Sequence, residues 1–182
     1  MNLKEEKVNS SLIYDGRIIK LYNDEIKLPD GNGAYREYVK HPGGVCVVPI
    51  TDKGEVMLVR QYRYVYGKEI IEIPAGKRDG ADEDTLVGAK RELKEELGIT
   101  AENFFYLGEF YPTPGYTDEI IYMYAATKLT FGEKNPDEDE FIETEKFHID
   151  TLIDMIMKGE IKDGKTIAAV LKVKKLIDTN KI

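Results

Sequence analysis

Apolar residues fall in short alternating or continuous runs up to about position 74 and again over 104–129, and recur every third or fourth position between Glu83 and Gly98, after Asp150 and near the C-terminus. The first pattern predicts strands and the second helices. Ser11–Tyr14, Arg17–Asn23, Glu25–Leu28 and Tyr35–Lys40 read as strands broken by Asp15-Gly16 and by Pro29-Asp30-Gly31-Asn32-Gly33. Their alternation is imperfect, and a sheet so small needs a partner surface. His41-Pro42-Gly43-Gly44 reads as a joint that divides residues 1–41 from residues 42–182. Val45–Ile50 is then a buried strand, and Glu55–Arg63, after the turn Thr51–Gly54, a second one with which it should form a hairpin. Tyr66–Glu69 is a turn, Ile70–Pro74 a strand, and Ala75-Gly76 opens the loop before the first helix.

Glu83, Asp84 and Thr85 bring negative charge and a capping hydroxyl to that helix start, and Gly98 ends it. Phe104–Phe110 and Glu119–Leu129 are further strands joined by residues 111–118, and residues 133–145 form an acidic loop. Asp150 caps a helix that turns Leu152, Ile153, Ile156 and Met157 to one side and stops at Gly159; a last helix runs from about Thr166 to Ile177. This order predicts a mixed sheet covered by helices, an α+β fold of the α/β/α sandwich kind, preceded by a small antiparallel sheet.

With 182 residues and 42% hydrophobic content the chain can bury a substantial core. Its formal charge of −8 argues against a nucleic-acid partner, which would need a basic stripe, so a phosphorylated substrate must arrive with a cation. The one cysteine, Cys46, lies in an apolar run and reads as a small buried hydrophobe. The segment MNLKEEKVNS has no apolar core of a leader, and no stretch approaches the ~18 residues of a membrane span, so the expected address is the cytoplasm and no membrane partner is expected.

The first helix carries the chemistry. Taking Glu92 as zero at about 100° per residue, Glu96 falls near 40° and Glu95 near −60°, while Ala89, Leu93, Leu86 and Leu97 fall at about 60–140°. Like charges four residues apart repel by a few tenths of a kcal/mol, a standing cost that a bound cation reverses; Arg91, four residues before Glu95, offsets part of it. Glutamates suit Mg²⁺, whereas His41 and His148 stand too far apart to suggest a zinc site.

From Gly76, through Glu83, to Arg91-Glu92-Leu93-Lys94-Glu95-Glu96-Leu97-Gly98-Ile99, the chain resembles the Nudix box, GX5EX7REUXEEXGU. One residue is extra: six, not five, separate Gly76 from Glu83, and the insertion falls in the turn Asp79-Gly80-Ala81-Asp82, leaving the helix register intact. Arg60-Gln61-Tyr62-Arg63, Glu72-Ile73-Pro74-Ala75-Gly76, Pro112–Glu119 and Asp137-Glu138-Asp139-Glu140 are similar to the ADP-ribose pyrophosphatase group of that family. The resemblance implies Mg²⁺-dependent hydrolysis of ADP-ribose to AMP and ribose 5-phosphate, with Mn²⁺ as an alternative ion. GDP-sugars, FAD-like dinucleotides or nucleoside triphosphates are alternative substrates, and a non-catalytic ADP-ribose sensor is a reading of another class.

By the same resemblance Glu92 and Glu96 are metal ligands, joined by the Ala75 carbonyl, and Glu95 is a further ligand or positions water. Glu138 is the catalytic base and Glu140 a ligand, or the reverse. Arg63 grips a phosphate with Glu72 beside it. The resemblance further implies a homodimer that exchanges its N-terminal sheets, with Ile19, Tyr14 and Arg36 as candidate adenine contacts. Gly76 serves backbone geometry, Arg91 orients the glutamates, and Glu83 partners the helix dipole. Glu96, read as a surface carboxylate, should be replaceable by glutamine with folding untouched.

Overall fold

The computed structural model describes residues 2–80, 82–136 and 140–182. β1 (Glu6–Asp15), β2 (Lys20–Lys27) and β3 (Gly33–Lys40) form an antiparallel sheet in that order, with β1 exposed along its whole length. The break expected after Asn23 does not occur. Asp24 stays in register opposite Arg36 and is buried because Ser10 donates to it and Lys7 lies 3.8 Å away. Below this sheet the chain is tied to the body by Val39 N–H to Tyr116 O at 2.8 Å and Asp118 N–H to Val39 O at 3.2 Å.

β4 (Gly44–Pro49) is buried at every residue, as a central strand must be. It runs parallel to β9 (Ile121–Phe131) and antiparallel to β7 (Ala75–Lys77), and β8 (Ile99–Phe110) completes a mixed sheet in the order β7-β4-β9-β8. β5 (Glu55–Arg63), β6 (Lys68–Glu72) and β10 (Ile142–His148) make a separate antiparallel sheet in the order β10-β5-β6. The expected β4–β5 hairpin is therefore corrected: one bridge, Ile50 to Val56, joins them beyond a tight turn, and the strands then part into different sheets. Both are apolar on two faces, and each finds partners on both edges elsewhere. The acidic loop is also shorter than expected, because Ile142–Glu145 pair with β5 and Glu145 meets Arg60 at 2.7 Å.

Helices cover both sides of β4. Val45 and Val47 pack with Ala89, Leu93 and Leu97 of α1 (Thr85–Leu97). Cys46 and Val48 pack with Leu152 and Ile156 of α2 (Ile149–Met157) and Ala169, Val170 and Val173 of α3 (Gly164–Asp178). This is an α/β/α sandwich with an antiparallel sheet before it. Burial pushes the Cys46 thiol up to about 12, as befits an inert core side chain. Two details of α2 differ from expectation. His148, not Asp150, caps it by accepting from Asp150 N–H at 3.3 Å, and Met157 is 76% exposed while Ile149 takes its place inside. Among the described residues no helix is long and apolar enough to cross a membrane.

Candidate active site

Asp84 caps α1, accepting from Leu86 and Val87 N–H at 2.9 and 3.1 Å, and Gly98 ends it with φ at 67°. The hydroxyl of Thr85, expected at the cap, instead meets Tyr124 Oη at 2.6 Å. The apolar stripe faces β4 as the spacing requires, but the acidic stripe beside it is no solvated face. Glu92 is 6% and Glu96 1% exposed, which overturns the reading of Glu96 as a surface carboxylate.

Arg91 organises this stripe. Its Nη1 donates to Glu92 Oε1 at 2.7 Å and to Glu95 Oε2 at 3.1 Å, and its Nη2 reaches Lys77 O at 3.2 Å and Glu83 Oε1 at 3.4 Å. Glu83 accepts from Asp79 N–H at 2.9 Å and lies over Gly88, where an added Cβ would be 3.0 Å from its Oε2. Glu83 thus anchors Arg91 across two helical turns instead of serving the helix dipole alone. That linkage explains how one glutamate eight residues away supports the acidic pair.

β7 brings the second wall. Ala75 N–H donates to Glu96 Oε2 at 3.1 Å, and a Cβ on Gly76 would lie 2.0 Å from Glu92 Cδ. Gly76 is therefore required for space, not for the backbone freedom expected of it. Burial pushes Glu96 up to about 8, with Glu92 and Glu140 adding to the rise and Ala75 N–H and Lys165 opposing it. Burial likewise pushes Glu92 up to about 7, against Arg91 and with help from Glu95 and Glu140. Glu140, in the segment before β10, acts on both carboxylates through its charge. Glu138 lies outside the described residues.

Among the described residues no three acidic, histidine or cysteine side chains already stand close enough to hold a metal ion, and Arg91 lies between Glu92 and Glu95. The donors nonetheless fit a hard divalent cation. All are oxygens, burial disfavours the anionic form of both Glu92 and Glu96, which a cation would reverse, and the Gly76 cradle leaves the Glu92 carboxylate room. Gly76→Ala is accordingly expected to displace Glu92 and weaken Mg²⁺ binding at least about 10-fold by titration calorimetry. Unaltered binding would show that the cradle has no such function.

Across Ala75–Gly76 lies a cationic counterpart. Glu72, 2% exposed, accepts from Arg63 Nε at 2.7 Å and Nη2 at 2.8 Å and also from Lys165 Nζ. Burial raises Glu72, yet the guanidinium fork and Lys165 hold it below its ordinary value. Lys165 is itself buried and meets Asp163 at 3.1 Å. A cavity of about 220 Å³ opens between Arg63, Lys165, Ala75, Gly76 and His41. Both oxygens of Glu72 accept from these two cations, so it fixes their positions. Asp163 caps α3, accepting from Thr166 N–H at 3.0 Å, and nothing local in the sequence marks Lys165 two residues on. Only its pairing with Glu72, 93 positions away, reveals it. A larger cavity, about 550 Å³ and lined by Met57, Lys128, Phe131 and Lys146, holds none of these groups.

The N-terminal candidates stand apart. Arg36 pairs with Glu5 on the β1–β3 sheet, Tyr14 lies on β1, and Ile19 in the turn after it; none lines the 220 Å³ cavity.

The sequence matches the family model of the NUDIX domain over residues 40–170. It is 36% identical over 184 residues to an ADP-ribose pyrophosphatase of Bacillus subtilis, covering 99% of each chain. It is 40% identical over 169 residues to a methanol dehydrogenase activator of Bacillus methanolicus, covering 92% of this chain and 91% of that one. A crystal structure described as an ADP compounds hydrolase superposes with a TM-score of 0.86 over 100% of both chains at 20% identity, which establishes the shared fold.

Proposed function

The chain belongs to the Nudix family of hydrolases, and from that premise we propose that it cleaves the diphosphate bond of ADP-ribose to give AMP and ribose 5-phosphate. The observation that carries this reading is the facing of two charge systems across Ala75–Gly76. Buried carboxylates that need a cation lie on one side and the Arg63–Lys165 pair on the other. A diphosphate is the ligand class whose charge would use both, one phosphate beside Arg63 and the cation between the other and the carboxylates. The near full-length similarity to an ADP-ribose pyrophosphatase favours ADP-ribose among diphosphates.

Glu92, Glu96, Glu140 and the Ala75 carbonyl would hold Mg²⁺, with Mn²⁺ as a substitute. When bound, the ion neutralises phosphate charge and polarises the bond to be broken. Arg63 holds a phosphate through the part of its fork that Glu72 does not use. Glu95, held by Arg91, positions water. Glu138 takes the proton as the water oxygen bonds to one phosphorus, or Glu140 does so with Glu138 taking its place as ligand. The bridging P–O bond breaks, and its electron pair leaves with the other phosphate. Residues 1–41 act as a subdomain that exchanges with a second copy in a homodimer and brings Ile19 and Arg36 to the adenine. The enzyme works in the cytoplasm on free nucleotides.

The test is a panel of ADP-ribose, GDP-mannose, NADH, FAD, diadenosine polyphosphates and dNTPs with Mg²⁺, scored by product identity. ADP-ribose should give equimolar AMP and ribose 5-phosphate with kcat/KM at least about 10-fold above the rest. A preference for GDP-mannose or another member would replace ADP-ribose while leaving the hydrolase intact.

A further inference from the structure

His41 stands where β3 enters the body. Its backbone N–H donates to Asp118 Oδ1 at 2.8 Å, and its ring Nδ1 accepts from Gly43 N–H at 3.1 Å. Glu119 Oε1 lies 3.4 Å from the same Nδ1. A neutral ring that accepts at Nδ1 carries its proton on Nε2, and a doubly protonated ring turns Nδ1–H to Glu119. Either way Nε2 is a donor, and no described residue pairs with it. The side chain is 17% exposed and shares the 220 Å³ cavity with Arg63 and Lys165.

We propose that His41 is a substrate-binding residue, its Nε2–H donating to a phosphate oxygen of the diphosphate held beside Arg63. The inference rests on the ADP-ribose reading above. A turn-forming histidine needs only Nδ1. The placing of the ring on the cavity wall, with Nδ1 engaged by Gly43 and Glu119, gives Nε2 a use the fold does not. Its position at the joint also makes substrate binding sensitive to how the β1–β3 sheet is seated through Asp118.

Two variants separate the roles. His41→Asn places an oxygen where Nδ1 stands and keeps the Gly43 bond, but has nothing at Nε2; His41→Gln carries an amide N–H to the Nε2 position. ADP-ribose binding is measured in EDTA by titration calorimetry, beside KM and kcat with Mg²⁺. His41→Asn should weaken binding at least about 10-fold, with the loss in KM and not kcat, and His41→Gln should recover most of it. Equal binding by His41→Asn and the parent, or equal loss in two folded variants, overturns the inference. Should His41→Asn not fold, the Nε2 resonance of the parent decides: it shifts when ADP-ribose is added without metal, or the inference fails. A parent chain that does not hydrolyse ADP-ribose instead overturns the reading beneath it.

Discussion

Glu96→Gln is expected to lower kcat by at least about 10³-fold, the equivalent of roughly 4 kcal/mol of transition-state stabilisation, while leaving the metal-free protein as stable as its parent or more so. Both halves follow from burial. Glu96 is almost wholly enclosed beside Glu92, and its carboxyl is pushed up to about 8, so near neutral pH the metal-free protein already holds it largely protonated. A neutral glutamine replaces that form well but cannot ligate a cation as a carboxylate does.

The sign of the pH dependence follows. A carboxyl with a folded pKa above its unfolded one binds more protons folded than unfolded, so stability falls as pH rises from the ordinary carboxylate range to about 8. The slope approaches roughly 1.4 kcal/mol per pH unit for one proton, and Glu92, at about 7, adds to it over the lower part of the window. Thermal melts in EDTA at pH 5 to 9 should show this decline, and Glu96→Gln should flatten it. Mg²⁺ should flatten it too, because a ligand that binds only the folded state stabilises it most where the carboxylates are ionised. A flat profile in the metal-free parent would mean the carboxylates are not enclosed as described.

Glu72→Gln should have the largest effect on folding, a loss of about 3–5 kcal/mol and a Tm lower by roughly 10 °C. It leaves Lys165, buried, with Asp163 as its remaining carboxylate, and frees the Arg63 fork. Most of that loss is the cost of an under-compensated enclosed charge, so a second change that removes the charge should return part of it. Glu72→Gln with Lys165→Met is expected to be more stable than Glu72→Gln alone, a coupling that a double-mutant cycle measures. Strict additivity of the two changes would show that the pair is not energetically linked. KM for ADP-ribose should rise in both chains, since Arg63 loses its fixed direction.

Much of this was legible along the chain wherever the determining interaction is local. The register of α1, its stop at Gly98 and the four-residue pairing of Arg91 with Glu95 are properties of one helix, and period and spacing suffice for them. The divergence of β4 and β5 was not legible, since two apolar strands joined by a short turn look alike whether they pair with each other or with strands from elsewhere. β10 was hidden by its glutamates, because its apolar residues do not alternate: Ile142 and Phe147, five positions apart, point to opposite faces and pack on different sides of the core. The replacement of Asp150 by His148 at the α2 cap turns on a single ring nitrogen. In the site, the carboxylates were visible in the sequence and their enclosure was not, since it depends on β7 lying against α1 through Ala75 and Gly76. The burial of Lys165 against Glu72 and the placing of the His41 ring on a cavity wall were hidden for the same reason: each depends on a residue brought by another element.

A divalent cation entering this site should displace protons from the enclosed Glu92 and Glu96. Mg²⁺ titrated by calorimetry at pH 7 in two buffers of different ionisation enthalpy reads this directly, because binding that deprotonates the site releases protons to the buffer. Saturable heat is expected with about one proton or more released per ion, and neither in Glu96→Gln. Saturable binding without proton release, or the same heat in Glu96→Gln as in the parent, would contradict it.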